Sequence, residues 1–132
     1  ISKNIKLFTD IVDMRYFISN FKVFITSRAT STLSWLVFSN KPVIFINWIN
    51  DNQLNQEAYE SFSKGIFVFN SNDEYFYEKL LKFLSLPISE IESLYENKKE
   101  ARTIMIKEYF SEYNYGAGNR IANFLGHKFL NY

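Results

Sequence analysis

The chain has no cysteine, one histidine, two prolines and four glycines among its 132 residues. The absence of thiols excludes disulfides and thiolate metal sites, and it fits a reducing compartment. One histidine leaves no His cluster for a metal, and no Asp-rich spacing replaces it. An excess of one charge is missing too: 15 Lys and Arg face 14 Asp and Glu, for a net charge of +1. That balance lacks the basic footprint of a nucleic-acid binder. Long apolar runs are absent. Trp35–Phe38 and Pro42–Ile46 fall far short of the roughly 20 residues that a membrane span needs.

What is present is apolar and aromatic. Hydrophobic residues make up 47%, aromatics 19% and charged residues 22%, with 14 Phe and 9 Tyr. This composition suits a globular chain whose core is built from Phe and Ile more than from Leu and Ala. The length fits one domain spanning residues 1–132. Starting at Ile1 rather than Met, the chain reads as a fragment of a longer protein, cut at a domain boundary.

Hydrophobic spacing predicts alternating elements. Ile5–Phe8 is a short candidate strand, and Asp10 precedes a helical pattern running to about Asn20. Lys22–Thr26 is β-branched and aromatic and predicts a buried strand. Leu33, Leu36 and Val37 carry a helix towards Asn40, which Lys41-Pro42 ends. Val43–Ile46 and Ile66–Phe69 lack alternation, as strands buried on both faces do. Gln56–Ser63 predicts a helix with Gly65 as its C-terminal stop. The next helix runs from Asn70–Asp73 to Leu84, with Phe76, Leu80 and Phe83 inward.

Beyond Pro87 the pattern is helical only. Ile88–Phe110 predicts one or two helices with Ile91, Leu94, Ala101, Ile104 and Met105 on the apolar side. Glu96–Glu100 reads as a solvated face. Tyr113–Gly118 is a break, and Asn119–Phe129 a last helix with Ile121, Phe124 and Leu125. Strands alternating with helices predict an α/β fold, a Rossmann-like parallel sheet flanked by helices, followed by a helical C-terminal tail.

Ligands of such sheets bind beyond the carboxyl ends of the strands. Three loops lie there: Ser27–Thr32, Asn47–Asn55 and Asn70–Asp73. The first joins a buried strand to a helix and offers four hydroxyls and Arg28. Free N–H groups and the positive end of a helix attract anions, and a guanidinium suits phosphate or carboxylate. Ordinary helix capping by Ser and Thr accounts for the same residues. In the second loop, Trp48 either offers a platform for a sugar or packs on its own domain. Asp51 and Glu57 are weak as a catalytic pair because nothing fixes their separation. His127, alone in the last helix, reads as a surface residue.

The segment ITSRATSTLSWLVFSNKPVIFINW, Ile25–Trp48, resembles the donor-domain core of GT-B glycosyltransferases. It is nearest to the peptidoglycan N-acetylglucosaminyl transferases, and it also resembles sugar 2-epimerases and surface-polysaccharide and CDP-glycerol-type transferases. In that pattern a strand ends in a Ser-Arg-Ala-Gly-like or Ser/Thr-rich loop, a helix follows, and Lys-Pro-Val-Ile opens the next strand. Ser27-Arg28-Ala29, Ser31-Thr32 and Lys41-Pro42-Val43-Ile44 hold those places. The resemblance covers roughly residues 10–85, and the YNYGAGNRIANFL tail is similar to the closing helix of surface-polysaccharide transferases.

The resemblance implies a diphosphate held by Ser27, Arg28, Thr30, Ser31 and Thr32. It implies a donor sugar or nucleotide facing Asn47, Trp48, Gln53, Asn55 and Gln56. It implies no metal cofactor, a catalytic base from an N-terminal acceptor domain of the same protein, and a whole enzyme on the cytoplasmic side, with peripheral membrane association allowed. Two departures stand out: Thr30 sits about where the family has glycine, and Ser34-Trp35 replaces its ribose-holding Glu. Trp35 then either stacks on a base or packs in the core.

Two other functions compete. One is a non-catalytic α/β module that kept the fold and lost the nucleotide. The other is a receiver domain, which needs an Asp at a central strand end; the strand ends here are Thr26, Asn47 and Asn70.

Overall fold

The computed structural model describes residues 13–51, 53–111 and 116–129. Three parallel strands, β1 (Phe24–Thr26), β2 (Val43–Asn47) and β3 (Phe67–Asn70), lie in the order β1-β2-β3. Ile25 stands opposite Ile44, and Ile46 opposite Phe69. β2 is the middle strand, and its Val43, Ile44 and Phe45 are fully buried. Burial on both faces explains why its sequence does not alternate. The chain is thus α/β, with a Rossmann-like parallel sheet flanked by helices and a C-terminal helix, as its pattern predicts.

Six α-helices are described: α1 (Ser31–Phe38), α2 (Gln56–Gly65), α3 (Phe76–Leu84), α4 (Ile88–Glu96), α5 (Lys99–Tyr109) and α6 (Ala117–Phe129). α1 buries Leu33, Leu36 and Val37, the three positions its spacing picks out. Asn40 follows at φ 57°, a left-handed conformation that Asn tolerates better than most residues. α3 buries Phe76, and its Phe83 ring lies 4.6 Å from Phe67 and 5.6 Å from Phe69 on β3.

The expected strand at Ile5–Phe8 and the helix start at Asp10 lie outside the described residues. The first described element is a 3-10 helix over Met14–Asn20, capped by Asp13, whose carboxylate accepts from the Arg15 N–H at 2.9 Å. Lys41 Nζ donates to the carbonyls of Ile18, Ser19 and Phe21 at 2.6 to 2.8 Å, tying that helix end to the start of β2. A cation suits this place because the last carbonyls of a helix have no intrahelical donor.

α2 ends at Gly65, as its sequence reading has it. The glycine lies in the last turn of α2 at an ordinary φ, and Ile66 is the cap. Its smallness serves a close approach: a Cβ there would meet Met105 Sδ at 2.9 Å and Arg102 Cα at 3.0 Å on α5. The apolar face of the tail differs from its sequence reading. Ile91 and Met105 are buried, but Leu94 and Ile104 are exposed, and Tyr95, Arg102 and Ile106 take the inner places. Lys98 is not solvated with its neighbours; its Nζ donates to the Ser63 carbonyl at 2.7 Å, at the end of α2. Burial first, and the Arg102 charge second, hold its pKa below the usual lysine value.

Tyr95 yields a test of this packing. It is buried, and its hydroxyl has no hydrogen-bond partner among the described residues. Burial pushes its pKa up from 10.0 to about 12, against the opposing pull of Arg102. The ionised form is disfavoured in the fold, so this contribution is whole below pH 10 and is lost as pH rises through about 12. Tyr95→Phe removes an unpaired buried hydroxyl of the kind that costs about 1–3 kcal/mol. Urea titrations should find the variant at least as stable at neutral pH, with a flatter decline over that alkaline range. A clear loss at neutral pH would reveal a partner for the hydroxyl.

Candidate functional site

Because the strands are parallel, their carboxyl ends share one rim. There a cleft of about 440 Å³ is lined by Ser27, Arg28, Thr30 and Thr32 from the first rim loop and the start of α1, by Ile25, Thr26 and Ile46 from the strands, and by Trp48 from the second loop. Thr30 is the N-cap residue of α1, with extended backbone and no side-chain capping bond. The first N–H groups of a helix have no intrahelical acceptor and carry its positive end. No acidic residue in the first turn of α1 offsets that charge. Ser31 opens α1 but does not line the cleft, and the Ser34 hydroxyl is spent on its carbonyl at 2.6 Å.

Arg28 links the two loops. Its Nη2 lies 3.1 Å from Asp51 Oδ2, and both side chains are more than half exposed, at 61% and 55%. A pair so wetted contributes at most about 1 kcal/mol. The guanidinium is therefore tethered to the second rim loop by a bond that contributes little. Trp48 also lines the cleft. Its ring meets Phe76 edge-on at 6.0 Å and remains partly exposed, so it packs on its own domain and also faces the cleft.

The other predicted residues disperse. Asn47 is only 2% exposed and does not line the cleft. Its Nδ2 donates to Asn70 Oδ1 at 2.8 Å, and its Oδ1 accepts from the Leu54 N–H at 3.0 Å. Asn70 Nδ2 in turn donates to the Tyr59 hydroxyl at 3.0 Å. Asn47 thus shapes the second rim loop from beneath. Gln53 and Asn55 line a neighbouring groove of about 420 Å³, with Ala29, Leu33, Leu54, Tyr109 and Phe110. Asn55 also caps α2, its Oδ1 accepting from the Ala58 N–H at 2.8 Å. Gln56 bonds to Glu60 on an exposed face of α2 and lines neither space.

Trp35 lies apart from the cleft, half-buried beside Ser39 and Lys41, with the Arg15 guanidinium 4.3 Å above its ring. Glu57 faces a third groove between α2 and α5, with Glu60 and Glu108. His127 is exposed on α6. Among the described residues no three His, Cys, Asp or Glu are placed to hold a metal ion. Sequence reasoning missed Asn70 and Tyr59 as supports and Tyr109 as a groove wall. The first had a signal: Asn47 and Asn70 end adjacent strands and stand opposite each other in the ladder.

The fold and cleft define an α/β domain with a polar rim. No protein family, curated protein or solved structure matches the chain. Among the described residues no helix is long and apolar enough to cross a membrane.

Proposed function

We propose that the chain is the donor-binding half of a glycosyltransferase of cell-envelope or surface-polysaccharide biosynthesis, with the donor's diphosphate seated at Ser27–Thr32. The observation that carries this reading is the convergence of Ser27, Arg28, Thr30 and Thr32 on one cleft beside the start of α1. Hydroxyls, a guanidinium and a helix N-terminus are the donors that a leaving diphosphate requires as its charge grows. The adjoining groove supports the sugar side of the reading: the amides of Gln53 and Asn55 stand among the rings of Tyr109 and Phe110. Amides bond to hydroxyls, and aromatic faces cover the apolar faces of sugars.

In this reading the chemistry of the chain is binding and charge stabilisation. The acceptor and the catalytic base come from an N-terminal partner domain. The partner of the site is a nucleotide-sugar, not a nucleic acid. A second reading, a binding module without a nucleotide, is favoured by one observation. Trp35 stands where related donor domains keep a ribose-binding Glu, and it lines a different groove.

Calorimetric titration with UDP, CDP, GDP and their sugar forms separates the two. One nucleotide is expected to bind and to raise thermal stability as its concentration passes the dissociation constant. Arg28→Ala should weaken it by about 10- to 100-fold, the equivalent of a charged hydrogen bond of about 1.5–3 kcal/mol. If no nucleotide binds at millimolar concentration, the second reading takes precedence.

A further inference from the structure

Helix α3 carries two apolar rows. Phe76, Leu80 and Phe83 turn to the sheet and the core. Tyr77, Leu81 and Leu84 form the second row, and they are 38 to 68% exposed. At about 3.6 residues per turn these three fall within about 60° of one another. A helix that packs on its domain by one face keeps a polar outer face, and contiguous exposed apolar side chains mark an interaction site where single ones do not. Glu78 and Lys82 run along the flank of this row that faces away from the sheet, Glu78 in the first turn and Lys82 in the last. They stand one turn apart, yet among the described residues neither side chain forms an ion pair or a hydrogen bond.

We propose that this face is the contact of a two-fold dimer, with α3 of a second copy lying antiparallel on it. A two-fold axis near Leu81 sets Leu81 against its equivalent and each Tyr77 beside the Leu84 of the other copy. It also brings Glu78 of each copy to Lys82 of the other, and it runs the two helix dipoles in opposite directions. Parallel pairing would set Glu78 on Glu78 and Lys82 on Lys82, and like charges repel. The two charges also select the occupant. A partner of one charge sign repels one of them, whereas a reversed copy of α3 satisfies both. The contact is small, short of the about 1,200 Å² at which standard interfaces begin, so association is weak, in the micromolar to millimolar range. No residue of α3 lines the rim cleft, so the dimer does not rest on the donor reading.

The test is sedimentation velocity of the whole chain from micromolar to millimolar concentration. The expected result is a reversible equilibrium of monomer and dimer. Leu81→Asp should abolish the dimer while leaving the far-UV spectrum and the thermal midpoint of the dilute chain unchanged, because the side chain is exposed. Glu78→Lys and Lys82→Glu should each weaken association by roughly threefold or more, since two exposed ion pairs give way to like charges. An equimolar mixture of these two variants should then associate more tightly than either alone, because the lysines of one meet the glutamates of the other. That gain cannot arise within one helix, where each variant carries like charges one turn apart. Three results overturn the proposal: a chain that stays monomeric at millimolar concentration, a dimer untouched by Leu81→Asp, or a mixture no tighter than its components. The mixture decides the matter even if Leu81→Asp disturbs the fold. Nucleotide titration reads the rim cleft separately, so either reading can fail alone.

Discussion

Phe62→Ala is expected to lower the unfolding free energy by about 3–5 kcal/mol, the usual cost of truncating a buried phenylalanine. Phe62, on α2, is 3% exposed, and its ring meets three others: Phe45 at 6.3 Å, Tyr109 at 5.3 Å and Phe110 at 5.9 Å. It therefore joins the middle strand to the end of α5. The loss is a large share of the about 5–15 kcal/mol that a domain has. Phe62 also borders the groove that holds Gln53 and Asn55, so truncation widens that groove towards the core. Urea unfolding should show a lower midpoint at an unchanged slope. A loss below about 1 kcal/mol would mean that the neighbours close over the gap.

Arg102→Met is expected to cost about 2–3 kcal/mol, in line with hydrogen bonds from a charged donor. Arg102 is 4% exposed and forms no salt bridge among the described residues. Its guanidinium lies 3.8 Å over the Tyr95 ring and donates to the Tyr95 carbonyl at 2.7 Å, with a long contact of 3.5 Å to the Gly65 carbonyl. Lys98 donates to the Ser63 carbonyl one turn away. Lys98 thus serves the C-terminal end of α2 and Arg102 chiefly that of α4, where carbonyls lack intrahelical donors and the helix is negative. A buried cation also costs solvation, and replacing one with a hydrophobe sometimes stabilises a protein. The lost charged bond to the Tyr95 carbonyl, together with the stacking on its ring, makes the loss the larger effect here. Methionine keeps the length of the side chain, so chemical denaturation reads the bonds and not a cavity. A gain in stability would show that desolvation outweighs the bonds.

The sheet was legible because its signal is local. Val43–Ile46 and Ile66–Phe69 are short apolar runs between turn residues, and burial of β2 on both faces is what such a run means. The rim loops followed from parallel order alone, and Ser27, Arg28, Thr30 and Thr32 do share one cleft. The tail was harder. Helical spacing fits Ile104 and Leu94 as well as Tyr95 and Ile106, and only the partner surface chooses between them. Arg102 and Lys98 look like surface charges until α2 ends beside them. Gly65 marks the helix end in the sequence, but the close approach it allows shows only once α5 lies against it. Asn47 misled in a similar way: an amide at a strand end can face a ligand or fold inward, and its partners Asn70 and Leu54 turn it inward.

That inward amide has a further effect. The Asn47–Asn70 bond exists only in one pairing of β2 with β3, the pairing that sets these two residues opposite each other. A slip of one residue would carry one amide to the other face of the sheet and leave its mate buried and unbonded. The apolar runs of β2 and β3 discriminate poorly between neighbouring registers, since nearly every position is hydrophobic. The amide pair supplies the missing penalty and acts as a proofreading contact. Asn47 also receives the Leu54 N–H, so the side chain that fixes the register holds the second rim loop as well.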